Sequence, residues 1–141
     1  MKLFYPRSVN SALLISIVSL MFVSCSKKMM FQNSSAVPAA EGAVKYKTDR
    51  NNNYEIKVDV NNLAGSDKLI PPRSTYVVWM ESEKNGMKNL GQLKSSSGIF
   101  SSKLKASLRA VSAFKPRRFF ITAEDDASIS FPGPQVVLRT N

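Results

Sequence analysis

The sequence predicts an all-β fold: an antiparallel β-sandwich, immunoglobulin-like in the loose sense, with about seven strands. Three observations lead to this prediction. Short segments alternate apolar and polar side chains with period two, turn-forming residues separate these segments at regular spacing, and no segment after the first 24 residues has a convincing helical pattern. A hydrophobic content of 43% is ordinary for a globular protein, so the chain is able to build a core.

The first predicted hairpin follows from strict alternation. In "NYEIKVDVNNL", apolar residues alternate with charged ones, which is typical of a strand with one buried face and one face in water. Val44 and Tyr46 alternate with lysines in the same way, and the intervening "DRNNN" predicts a turn. The apolar positions of the second strand are Tyr54, Ile56, Val58 and Val60.

The second predicted hairpin contains the single tryptophan. Residues 75–81 are rich in strand-favouring residues, Asn85-Gly86 predicts a type I′ turn, and a second strand runs from about Lys88 to Lys94. Both faces of the first strand are apolar, which predicts a central strand with Trp79 buried.

The C-terminal third contains the remaining strands. Residues 99–108 are predicted as a strand, although Phe100, Leu104, Leu108 and Val111 also have helical spacing, so residues 99–114 stay open between strand and helix. Residues 117–125 predict a strand with an acidic end, and a Pro-Gly turn in "FPGPQVVLRT" precedes the last strand.

Residues 1–24 have the pattern of a secretory signal peptide. Lys2 and Arg7 give a positive start, and an apolar run follows from Ala12 to Val23. These 12 residues are too few to cross a bilayer as a helix, which needs about 20.

The single cysteine follows this apolar run. The sequence Phe22-Val23-Ser24-Cys25 resembles the lipobox of bacterial lipoproteins, with phenylalanine in place of the usual leucine. This resemblance implies cleavage before Cys25 and lipid attachment to it, which would anchor the chain to a membrane of the cell envelope. Ordinary signal cleavage with a free thiol, or an uncleaved anchor, are the alternatives.

These features divide the chain into three parts. Residues 1–24 are the predicted signal peptide, 25–42 an acylated cysteine with a flexible tether, and 43–141 the sandwich domain. Lys27 and Lys28 lie next to the anchor, where anionic head groups would attract them. A solvated linker with incidental charge is the alternative for these two lysines.

The charge balance favours anionic partners. Lysine and arginine number 20 against 10 acidic residues, and removal of the signal peptide leaves a net charge of +8. Lys115, Arg117 and Arg118 form the densest basic group of the domain, predicted either to bind lipid phosphate or anionic glycan or simply to discourage edge pairing. In a regular strand Arg117 and Arg118 would point to opposite faces. The export signal argues against nucleic acid as the partner.

Few residues are suited to catalysis or metal binding. The chain has no histidine, and one cysteine allows neither an internal disulfide nor a thiolate metal site. Glu124, Asp125 and Asp126 are interpreted as a solvated turn, and the S-x-x-K spacing of Ser112 and Lys115 as coincidence. We therefore expect no enzyme, no cofactor and no metal.

Residues 75–139 contain a recognisable set of positions: Trp79, Leu90, Gly91, Thr122, Glu124, Pro132, Gly133 and Pro134. With these positions, the segment resembles the C-terminal extracytoplasmic domain of anti-sigma-K factors. That family has a Trp-centred strand, a Leu-Gly pair, a strand ending in an acidic residue, and a Pro-Gly-Pro-like turn. The resemblance implies a sandwich domain without catalytic residues. The cytoplasmic sigma-binding segment and membrane-spanning helix of that family are not present in the pattern of this chain.

The function expected from the sequence is that of a non-catalytic envelope lipoprotein, an interaction or structural module. The alternative is an envelope ligand sensor that regulates a sigma factor through a partner protein. We expect contact with the membrane through the lipid anchor, with an envelope protein as a second candidate partner, and we expect the domain on the periplasmic face rather than on the cell surface.

Overall fold

The computed structural model describes residues 25–96 and 104–141 and confirms the all-β sandwich. Two antiparallel sheets of five and four strands pack face to face. One short 3-10 turn, Ser66–Lys68, lies in the connection between the strands Tyr54–Asn61 and Thr75–Ser82. The strands are β1 (Lys27–Met30), β2 (Glu41–Thr48), β3 (Tyr54–Asn61), β4 (Thr75–Ser82), β5 (Met87–Gln92), β6 (Lys94–Ser96), β7 (Lys105–Ser112), β8 (Pro116–Glu124) and β9 (Val136–Arg139).

The strand order is that of an immunoglobulin-like sandwich. The first sheet has the order β1-β2-β3-β7-β6 and the second the order β5-β4-β8-β9. When β1 is left aside, these orders correspond to the A-B-E-D and C′-C-F-G arrangement of immunoglobulin domains. The predicted fold class is therefore confirmed, with nine strands among the described residues in place of about seven.

The first predicted hairpin is present as β2 and β3, which pair over their whole length. Asp49 organises the turn, because its Oδ1 accepts hydrogen bonds from the backbone N–H groups of Asn51 (2.7 Å) and Asn53 (2.9 Å). Asn52 takes a positive φ of 61°, which asparagine tolerates better than most residues. These hydrogen bonds favour the carboxylate and lower the pKa of Asp49.

The second hairpin, β4 and β5, is also present, but the predicted type I′ turn is wrong. A type I′ turn needs positive φ at both central residues, and here only Gly86 has it, with φ at 68°. The turn is instead a longer loop closed by Ser82, whose backbone N–H donates to the carbonyl of Gly86 (2.9 Å) and whose Oγ accepts from the N–H of Asn85 (2.8 Å).

The segment predicted as one strand from Lys88 to Lys94 is two strands in different sheets. Leu93 is buried at the point of change, and its N–H donates to the carbonyl of Tyr76 at 2.9 Å. β5 therefore pairs with β4, and β6 pairs with β7. In the region left open between strand and helix, Lys105–Ser112 is a strand, whereas residues 97–103 lie outside the described part of the chain.

The predicted flexible tether at 25–42 is wrong, because most of this segment belongs to the sandwich. β1 pairs with β2 at the edge of the first sheet. Phe31 then forms a bridge to Thr140, and Gln32 donates its N–H to the carbonyl of Arg139 in the second sheet. Phe31, Val37 and Ala40 are buried in the core. The segment lacks period-two alternation because it crosses from one sheet to the other, so its pattern gave no strand signal.

The core fills the space between the two sheets. The first sheet contributes alternate residues of β2 and β3, and β4 and β8 supply the facing side chains. The largest fully buried members of this core are Phe119, Met80, Ile121, Leu138, Val44, Val58, Val60, Val78 and Val137.

Trp79 is buried, as predicted, but its side chain lies on the face of β4 that is turned away from the inter-sheet core. Its side chain is fully inaccessible, while its neighbours Val78 and Met80 point into the inter-sheet core. The loop from β8 to β9 reaches Asn89 on β5, whose Nδ2 donates to the carbonyls of Ala127 (2.9 Å) and Ile129 (2.8 Å). Since β4 lies between β5 and β8, this loop crosses the outer face of β4, where Trp79 lies.

Candidate functional site

The proposed lipid attachment residue stands directly before the sandwich. Cys25 is exposed and carries a free thiol, and only Ser26 separates it from β1. Phe22, Val23 and Ser24 of the lipobox-like sequence lie outside the described residues, as does the rest of the predicted signal peptide. A lipid on Cys25 would therefore hold the folded domain itself, without an intervening flexible segment, next to a membrane.

Lys27 and Lys28 belong to the edge strand β1 and occupy different positions on it. Lys28 is opposite Lys45 in the register of β1 and β2, and it is exposed. Lys27 is opposite Tyr46 and lies close enough to Glu83 to help lower the pKa of that carboxyl. The two lysines of the predicted tether thus have separate surroundings.

The predicted basic group at the start of β8 is paired with acidic residues. The Nζ of Lys115 is 2.7 Å from Oε1 of Glu83, and this hydrogen bond lowers the pKa of Glu83 and raises that of Lys115. Both arginines of this group contact Glu81: the distance is 3.1 Å from Arg117 Nη1 to Oε1 and 3.5 Å from Arg118 Nε to Oε2. Much of the predicted local positive charge is therefore balanced.

A β-bulge explains why neighbouring arginines meet the same carboxylate. Glu81 is opposite Arg118, but the next residue of β4, Ser82, is opposite Pro116. Arg117 is the extra residue, and a bulge disturbs the alternation of side chains between faces. The prediction that Arg117 and Arg118 point to opposite faces assumed a regular strand, whereas at this bulge both side chains reach one carboxylate.

A different basic feature, not predicted from the sequence, crosses the first sheet. Lys28 is opposite Lys45, Lys45 is opposite Lys57, and Lys57 is opposite Arg109. We call these four residues the cation row. All four are exposed, on the side of the sheet turned away from the core. Single strands show these residues only as isolated lysines or arginines, so their alignment becomes visible only from the register of four strands.

The outer face around the cation row is basic as well. Two ion pairs lie on it, between Lys47 and Glu55 and between Lys57 and Asp59, each with an N–O distance of 3.0 Å. No acidic group is within 4.0 Å of Lys28, Lys45 or Arg109 among residues 25–96 and 104–141. By register, the outward charged residues of this sheet are Lys28, Lys45, Lys47, Lys57, Lys94, Lys105 and Arg109 against Glu41, Glu55 and Asp59.

A shallow groove of about 660 Å³ runs along this face. Its lining includes Lys45, Lys57 and Arg109 of the cation row, together with Lys47 and Val111. Glu55 also lines the groove, so its charged walls consist of four basic side chains and one acidic one, and a part of its surface is apolar.

The three consecutive acidic residues point to three different partners. Glu124 is buried and accepts a hydrogen bond from the N–H of Gly133 (2.7 Å), which ties the two ends of the β8–β9 loop together. Asp125 contacts Arg73 at 2.6 Å, and Asp126 accepts from the N–H (2.8 Å) and Oγ (2.7 Å) of Ser128. The acidic cluster thus organises a loop.

Ser112 and Lys115 do not contact each other. The Oγ of Ser112 accepts from the N–H of Phe114 at 3.0 Å, while Lys115 is engaged with Glu83. Within the described ranges no group of three or more His, Cys, Asp or Glu side chains is placed to hold a metal ion. In the same ranges no helix is long and apolar enough to cross a membrane.

Comparison with family models, with curated proteins and with solved structures found no match for this chain.

Proposed function

We propose that the protein is a lipid-anchored, non-catalytic module of the bacterial cell envelope that acts through surface contacts. The observation that carries this proposal is the position of Cys25, which is exposed at the start of the edge strand β1. Acyl chains on this residue would reach a bilayer without passing the folded domain. Two or more acyl chains hold a protein firmly on a membrane, whereas one chain binds only marginally.

The residues behind the resemblance to anti-sigma-K factors make structural contacts in the second sheet. The indole Nε1 of Trp79 donates to the Oγ1 of Thr122 at 2.8 Å, and Glu124 accepts from Gly133. Gly91 has a φ of 117°, a conformation that favours glycine, in a stretch where β4 and β5 shift register. These contacts build the outer face of the second sheet and its covering loop, which is a structural role.

The alternative function, a ligand sensor that regulates a sigma factor through a partner protein, rests on the resemblance alone. It differs from the leading proposal in requiring a transcriptional response. Deletion of the gene, followed by measurement of transcription from promoters that depend on each envelope-linked sigma factor, separates the two. A change confined to one such group of promoters would favour the sensor.

The anchor is tested directly in cells. We expect labelled palmitate to enter the wild-type chain and not the Cys25→Ser variant, and the variant to leave the membrane fraction. Ser26→Ala is the matched control, because it changes the neighbouring exposed residue and leaves the thiol. Persistent labelling and sedimentation of Cys25→Ser would show that this cysteine is not the attachment site.

A further inference from the structure

We propose that the outer face of the first sheet lies against an anionic lipid bilayer, with the cation row contacting head-group phosphates. The orientation of the domain rests on the proposed lipid anchor at Cys25. The choice of face rests separately on charge, burial and register. The occupant to which we commit is an anionic membrane surface, and soluble polyanions are an outcome of the test.

The cation row is an unfavourable arrangement for an isolated domain. Like charges directly opposite each other on neighbouring strands destabilise a sheet. Adjacent strands are about 4.8 Å apart, so the backbone positions of the four residues from Lys28 to Arg109 lie within about 14 Å. Asp59 relieves only Lys57 by an ion pair. Phosphates placed on this face would remove the repulsion, and the guanidinium of Arg109 suits a phosphate particularly well because it can donate two parallel hydrogen bonds.

The position of Cys25 brings this row close to any anchored membrane. Cys25 precedes Lys28 by three residues, about 10 Å of extended chain. This distance is close to the Debye length of about 8 Å at physiological salt, so head-group charges would still be felt at the start of the row. Because Phe31 and Gln32 fasten the following segment to the second sheet, the anchored strand has little freedom to swing the domain away.

Apolar side chains flank the row on this same face. Met30 lies on one side of the row with 56% of its surface exposed, and Val111 lies on the other side with 65% exposed. Lysine side chains extend their apolar stems along such surfaces while the charged ends reach outward. A flat, basic face with apolar residues beside the charges fits the head-group region of a bilayer, where both kinds of contact are available.

The test uses the purified full-length protein, reconstituted into vesicles of phosphatidylcholine alone or with phosphatidylglycerol added. Exposed lysines are acetylated briefly, and each modified peptide is quantified by mass spectrometry. We expect labelling of Lys28 and Lys45 to fall about fivefold on the anionic vesicles, and to recover at high salt. Lys68 and Lys84, which lie off this face, are the controls and should label equally on both.

A pair of variants tests whether the row itself is responsible. Lys45→Glu/Lys57→Glu should abolish the protection of Lys28 on anionic vesicles. Lys68→Glu/Lys84→Glu changes the net charge by the same amount away from the row and should leave that protection intact. Lys45→Gln/Lys57→Gln provides a milder substitution if the glutamate variant fails to fold, and it should reduce the protection.

Other results would overturn the proposed face or, separately, the anchor. Protection of Lys84 instead of Lys45 would mean that the domain stands end-on, with its β4–β5 turn at the membrane. Equal protection of Lys28 on both kinds of vesicle would reflect the anchor alone, and protection of Lys45 by heparin but not by anionic vesicles would assign the row to a soluble polyanion. Failure of the protein to stay with phosphatidylcholine vesicles would contradict the anchor, while salt-sensitive protection on anionic vesicles would still support the face.

Discussion

The contribution of Trp79 to the packing of the second sheet can be measured as a change in the free energy of unfolding. This side chain is fully buried, its ring stacks on Phe120 with centroids 6.3 Å apart, and its Nε1 donates to Thr122. Replacing it with alanine removes the ring and leaves a cavity beneath the β8–β9 loop. We expect Trp79→Ala to lower the free energy of unfolding by about 3–5 kcal/mol, a large part of the roughly 5–15 kcal/mol typical of a native protein.

A double-mutant cycle separates the hydrogen bond from the packing of the ring. Trp79→Phe removes the donor, and Thr122→Val removes the acceptor; each change leaves the other buried polar group unpaired, at a cost of about 1–3 kcal/mol. The double variant leaves neither group unpaired, so it should be more stable than the sum of the single changes implies, by about 0.5–3 kcal/mol. Urea unfolding followed by far-ultraviolet circular dichroism measures all four proteins, including those without tryptophan.

The wild-type protein supplies an internal check on this reasoning. Trp79 is the only tryptophan, so its fluorescence reports this site alone. We expect blue-shifted emission in the folded state and a red shift on unfolding. Solvent-like emission from the folded protein, together with a loss below about 1 kcal/mol in Trp79→Ala, would refute the burial of this side chain and the role of the loop as its cover.

Three further predictions concern the N-terminal segment, the loop and one ionisable group. A chain that begins at Glu41 loses β1 and the buried Phe31, so its free energy of unfolding should fall by at least about 3 kcal/mol relative to a chain that begins at Cys25; equal stability in urea would restore the idea of a tether. Gly133→Ala would place a Cβ 2.6 Å from Oε2 of Glu124, so we expect a loss of about 1–3 kcal/mol by the same assay, and an unchanged unfolding midpoint would contradict this contact. Burial, followed by the charge of a nearby aspartate, raises the pKa of Tyr76 to about 12. Stability should therefore be full below about pH 10, the ordinary tyrosine value, and decline as the pH rises toward 12; Tyr76→Phe should remove this part of the decline, and an identical alkaline profile in the variant would speak against the shift.

The fold class and the larger hairpins were predictable because they depend on local patterning. Alternation in β3 gave one buried and one exposed face, and the apolar residues on both faces of β4 indicated a central strand. Both predictions are confirmed. The same patterning identified Trp79 as buried, although it did not show that the covering layer would be a loop on the outer face rather than the opposing sheet.

The errors of sequence reasoning lie where chain segments change sheets or lose regular alternation. The segment after β1 leaves the first sheet at Phe31 and bridges to Thr140, and the chain changes sheet again at Leu93. Each crossing interrupts the period-two pattern, so the sequence of β1 resembles that of a tether and the sequence of β6 resembles a continuation of β5. Likewise, the bulge opposite Ser82 brings both arginines to Glu81.

By itself, the sequence determined that this protein is an all-β sandwich, because alternation is a property of contiguous residues. The short apolar run is also contiguous, and from it the sequence predicts Cys25 as the residue for a lipid anchor. Only the tertiary structure decided which charges stand together. Glu81 of β4 and Glu83 of its turn form ion pairs with Lys115, Arg117 and Arg118, whereas strand pairing aligns Lys28 and Lys45 with basic residues far along the chain. Register is set cooperatively by the burial of each strand's apolar face, so the neighbours of an outward-facing charge are fixed by how the opposite face packs.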